Sequence, residues 1–285
     1  MIDDIRIDVK DFSLNQDLYR GMLISYITKL ESSICDLMSI EYFPDHIRRF
    51  NEAASYLCMD INKFEESFKD IKHLKEVGTT SFAEKISVNK CFRKSARDVC
   101  VGIEFYTEKM KALCRFYFYM DEEKTKNGEE WLKTIKQFEK SNNGKYITRF
   151  LEVSKEYNSL KEYSLIKDMR NDETHNESII ELLEYKQKVD TSTPGDFDTD
   201  YLISDELIFR SIKNLIESLK TVVNALDDLL MNLSLGDVYN YIEKNKDILS
   251  NIISPDERLR VSEQKIKHYK SIVKELEKNQ EKGKQ

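Results

Sequence analysis

Proline is almost missing from this 285-residue chain, with 3 in all, and glycine is sparse at 8. Proline lacks an amide and clashes with the preceding helical turn, and glycine carries excess backbone entropy. Their scarcity argues against turn-dense sheet proteins and for long, uninterrupted helices. Long hydrophobic runs are missing too, since no stretch approaches the roughly 20 apolar residues of a membrane span. Met1 to Lys10 carries Asp3, Asp4 and Asp8 without an apolar run, which reads as neither a secretory signal nor a transit peptide. Cysteine is confined to Cys35, Cys58, Cys91, Cys100 and Cys114, odd in number and without C-x-x-C or Cys/His zinc spacing. The five read as small core residues in a reduced compartment, and the chain is expected in the cytoplasm.

Histidine is rarer still, at 4. Neither H-E-x-x-H nor E-x-x-H occurs, and the D-x-x-H pairs Asp70 with His73 and Asp172 with His175 lack companion ligands, so no metal and no cofactor is expected. An excess of positive charge is also missing. A net charge of -7 argues against a nucleic-acid binder that works through a general basic surface, but leaves room for a local basic cleft.

What is present is 40% apolar and 34% charged residues with apolar positions recurring at helical steps. The periodicity predicts helices over about 14–40 with Ser13 as N-cap, Pro44 to Met59, and Asn62 to Val77 stopped by Gly78. A central helix follows from Ser81 to Met120, with Val101 and Phe105 off its main stripe as if contacted on a second side. Further helices are expected over Glu129 to Lys140, Lys145 to Met169, Ser178 to Val189, Ser204 to Leu233, beyond Gly236 to Ile253, and from Pro255 onward. Asp190 to Asp200 reads as an acidic loop. Short links between long helices predict an all-α, up-and-down bundle of antiparallel helices. N-terminal helices over 1–80 would pack on a core over 81–235 followed by C-terminal helices over 236–285, an arrangement equally compatible with one domain.

The chemistry concentrates at Arg170 to Asn176, R-N-D-E-T-H-N, at a junction between two expected helices, where side chains and backbone donors are exposed together. His46, His73 and His268 lie in helical patterns without partner ligands and read as solvated or packing residues. Histidine can act as base or acid near neutral pH, and arginine stays charged and grips phosphate oxygens through two N–H donors. RNA supplies its own 2′-hydroxyl nucleophile, so such a pair can cleave it without a metal.

Arg170, a following polar Asn171 and, after three further residues, His175 resemble the signature of the HEPN superfamily. The resemblance implies an α-helical HEPN-like core over 81–235 and metal-independent endoribonuclease activity at a site completed across a homodimer. A toxin or antiviral defence role, restrained by an inhibitory partner protein, belongs to the same implication. On that reading His175 is general base or acid, Arg170 holds the phosphate, Asn171 positions sugar or phosphate, and the products carry a 2′,3′-cyclic phosphate and a 5′-hydroxyl. One histidine does not readily supply both proton transfers, which gives a physical reason for pairing two motifs. Lys90, Arg93, Lys94 and Arg97 form a basic stripe suited to RNA, or an ordinary solvated face. The run Phe116, Tyr117, Phe118, Tyr119 can stack bases, though such runs are more often core. The alternative for the motif is structural: Arg170 pairs with Asp168 or Glu173 while His175 caps a helix, in an inactive bundle that binds a protein or a nucleotide.

Overall fold

The computed structural model describes residues 8–14, 34–77, 82–141, 143–163, 197–253 and 257. Among these the protein is all α-helical: α1 (Ile34–Val77), α2 (Phe82–Tyr117), α3 (Glu122–Thr125), α4 (Glu130–Lys136), α5 (Gly144–Asn158), α6 (Phe197–Asn232) and α7 (Leu235–Asn245). The one bridge of extended backbone joins Met120 to Ile252. No helix among the described residues is long and apolar enough to cross a membrane.

The two helices expected to start at Pro44 and Asn62 are a single helix that begins before both. Pro44 removes one i→i−4 hydrogen bond, at a cost of about 3 kcal/mol. Against it stand Ile47, Phe50, Leu57, Ile61, Phe64, Phe68 and Ile71, all buried on one face. At about 1.5–3 kcal/mol for each large apolar side chain, keeping that face continuous outweighs the lost bond. Residue pairing shows that α1 and α2 run antiparallel: His46 stacks on Phe116, Phe50 meets Tyr106, and Phe64 and Phe68 both meet Phe92. Ser67 and Ser95 share a buried hydrogen bond at 2.6 Å between them.

α6 buries Phe209, Ile212, Ile216, Leu219, Val223, Leu226 and Leu230, alternating steps of three and four that keep one stripe on the core. Its start at Phe197 precedes the expected cap at Ser204 and takes up the end of the expected acidic loop. Antiparallel to it lies α5, tied by Arg149 to Asp228 at 3.1 Å and by the Asn143 amide to the Asn232 carbonyl. Gly144 opens α5 where a Cβ would stand 1.8 Å from the Glu139 carbonyl oxygen, so only glycine fits. α5 ends at Asn158, where the Ser159 amide and hydroxyl turn back onto the carbonyls of its last turn; the chain is helical again at 161–163, and the expected end at Met169 lies outside the described residues. Gly236, expected as a separator, is instead the second residue of α7. The boundary is Ser234, which forms a reciprocal capping box with Asp237.

Buried side chains from Phe12 to Ile242 form one contiguous core. The segment at 8–14 belongs to it: Phe12 and Leu14 are buried, Tyr106 donates to the Phe12 carbonyl at 2.6 Å, and Lys220 pairs with Asp11 at 3.2 Å. Of the cysteines expected in the core, Cys58, Cys100 and Cys114 are there and all are free thiols, whereas Cys91 is exposed. Cys91 occupies the outer side of α2, between the buried Phe92 and the exposed Lys90.

Candidate functional site

Arg170, Asn171 and His175 lie outside the described residues, as does His268. Of the basic stripe, Lys90, Lys94 and Arg97 are exposed on α2 and Arg93 is half-buried. His73 is exposed and His46 packs face to face on Phe116, with ring centroids 4.4 Å apart. The aromatic run is core: Tyr117, Phe118 and Tyr119 are buried, and the Tyr117 hydroxyl donates to the Leu233 carbonyl. No group of three His, Cys, Asp or Glu side chains among the described residues is arranged to hold a metal.

A cleft of about 310 Å³ opens between α2, the turn before α4, the end of α5 and the middle of α6. α2 contributes Ile103, Glu104, Thr107, Glu108, Met110 and Lys111, which share a face by helical spacing. The turn at Asn127-Gly128 swings the chain across the mouth. Gly128 has φ +57°, a conformation that suits glycine. Arg115 and Asn158 hold this turn: Arg115 donates to the Thr125 carbonyl at 3.0 Å and reaches the Lys126 carbonyl at 3.4 Å, and the Asn158 amide reaches Glu129 at 3.2 Å. Trp131, the single tryptophan of the chain, follows directly and lines the cleft with Tyr157 and Tyr163.

The polar groups here are incompletely satisfied. Ser154 and Tyr157 are each 3% exposed, and neither hydroxyl makes a well-formed hydrogen bond. The neighbouring Thr107 hydroxyl is committed to the Ile103 carbonyl at 2.8 Å. A buried hydroxyl without a partner costs on the order of 1–3 kcal/mol, so two side by side are a marked local departure from the rest of the core. Burial pushes the Tyr157 phenol far above its ordinary value, and Tyr163 adds to this while Thr107 opposes it. Tyr163 is pushed up to about 12, first by burial and then by the carboxylates of Glu108, Glu104 and Glu129. Ionising a phenol here would add a further negative charge to those of the three carboxylates. Both tyrosines therefore stay protonated at neutral pH.

No family model, curated protein or solved structure matches the chain. The cleft therefore stands on its own geometry. Its residues were legible in part. Thr107 and Ser154 occupy positions in apolar helical stripes where aliphatic residues are expected, and Glu104 and Glu108 are spaced to share one face of α2. That Glu129 and Trp131 join them depends on a turn whose path no helical period encodes.

Proposed function

We propose that the protein is a metal-independent endoribonuclease of the HEPN type, working as a homodimer in the cytoplasm. One observation carries the reading: Arg170, Asn171 and His175 stand at the family's spacing within a chain whose described residues are helical. His175 acts as general base or acid, Arg170 neutralises the phosphate, and Asn171 orients the sugar or phosphate. An up-and-down HEPN-like core over 81–235 would carry the site, and a toxin or defence role, held in check by a partner protein, follows from the family. The exposed Lys90, Lys94 and Arg97 offer a phosphate-binding face that the acidic total does not forbid.

The test is incubation of the purified protein with a panel of single-stranded RNAs in EDTA, alongside Arg170→Ala and His175→Ala. The parent is expected to leave 2′,3′-cyclic phosphate ends, and each variant to lose at least about 100-fold in rate, the lower range for removing a general acid–base group. Equal behaviour of all three proteins would overturn the proposal. The second reading, an inactive bundle that binds a ligand, is favoured by a separate observation, the unsatisfied hydroxyls of Ser154 and Tyr157 in the cleft.

A further inference from the structure

We propose that the cleft between α2, α5 and the turn at Asn127-Gly128 binds a small organic cation carrying a primary amine or a guanidinium group. Three features converge on that chemistry. The wall is aromatic, with Trp131, Tyr157 and Tyr163 offering π-faces that attract a cation, most strongly where water is excluded. The rim is acidic, because Glu104, Glu108 and Glu129 face two lysines, of which Lys111 is already held by Glu108 at 2.6 Å. Ser154 and Tyr157 line the cleft with buried hydroxyls, that of Ser154 without a hydrogen-bond partner and that of Tyr157 with only a loose approach to Thr107.

An ammonium or guanidinium group brings N–H donors and no acceptor, which matches hydroxyl oxygens and carboxylates alike. A phosphate or carboxylate ligand would meet three like charges with one uncommitted lysine, Lys126, at the edge. At about 310 Å³ the space suits a ligand the size of a four- or five-carbon diamine or its guanidino counterpart, at the small end of ligand pockets. This inference does not depend on the ribonuclease reading.

Trp131 makes the test direct, since its fluorescence reports on the cleft alone. The full chain is titrated with agmatine, with a blocked Gly-Arg-Gly peptide and with AMP. Agmatine or the peptide is expected to give a saturable change, the tighter of the two showing whether a free amine or a protein side chain is the source, while AMP gives none. Glu129→Gln, at an exposed position, and Tyr157→Phe, which keeps the ring, should each weaken binding on the order of tenfold, the loss of one charge-assisted or buried hydrogen bond. Circular dichroism of both variants should match the parent. His175→Ala should bind as the parent does, which separates failure here from failure of the nuclease reading. No saturation by either cation, saturation by AMP comparable to agmatine, or unchanged affinity in both folded variants would overturn the proposal.

Discussion

Two aromatic clusters in this bundle have opposite characters. Where α1, α2 and α6 meet, Phe64, Phe68, Phe92 and Phe209 pack ring on ring, with Phe68 and Phe209 centroids 3.9 Å apart. The polar atoms beside them are satisfied: one of the Ser67 and Ser95 hydroxyls donates to the other, and the one that accepts donates to a carbonyl of its own helix, that of Phe64 or Phe92. At the cleft, Trp131, Tyr157 and Tyr163 are equally aromatic, yet the neighbouring hydroxyls are left open and carboxylates crowd the rim. The first cluster is arranged for stability. The second gives up hydrogen bonds that a purely structural core would make, and such local losses are tolerated at sites that serve a function.

The sharpest way to break the comparison is to truncate the seam. Phe209→Ala should lower stability by about 3–5 kcal/mol, the usual cost of deleting a buried phenyl ring, read as a shift in urea midpoint at constant slope. A loss below about 1 kcal/mol would mean that the seam is not the main anchor of α6. At the cleft the sign should differ. Ser154→Ala removes a buried hydroxyl without a partner and should be neutral or stabilising by up to about 1 kcal/mol, and Tyr157→Phe, which gives up only a loose approach to Thr107, should be close to neutral. A clear destabilisation by both would show that the hydroxyls are satisfied within the fold.

Smaller effects concern the edges of the two regions. Asp11 is held below the ordinary carboxylate value, first by the Asp8 amide that donates to it, with partial burial opposing and Lys220 adding to the depression. A carboxyl depressed in the folded state contributes stability above its unfolded value of roughly 3.9, and that contribution is lost as pH falls through the lower folded value. The difference in urea midpoint between the parent and Asp11→Asn should therefore be present at pH 7 and shrink as pH falls below roughly 3.9. A difference independent of pH would show that Asp11 acts through hydrogen bonding and not through its charge. The smallest effect is on thiol access. Burial pushes Cys58 up to about 11 and Cys100 up to about 12, and Cys114 higher still, while Cys91 faces solvent. Among these four, a thiol reagent should label Cys91 in the native protein and the other three only on unfolding, as read by peptide mass spectrometry.

Much of the fold was legible because helical periodicity is a local property. Few prolines and glycines, together with stripes such as Phe209 to Leu230, suffice to specify long helices and their buried faces. Boundaries were less so. Pro44 looked like a helix start because the first turn tolerates it best, and Gly236 looked like a stop because glycine weakens helices. In each case packing against distant elements outweighed a local preference of a few kcal/mol or less.

The site divides along the same line. The order Arg170, Asn171, His175 is a property of the chain itself, as are the spacing of Glu104 and Glu108 and the polar Ser154 in an apolar stripe. Only the tertiary structure decided that Trp131 and Glu129 line one cleft with Tyr157, that Cys91 faces outward while Cys100 does not, and that the Ser154 hydroxyl is left without a partner. A periodic pattern sets which face of a helix is buried. Whether a buried polar atom finds a partner depends on groups far away in sequence, and that is settled only when the helices pack.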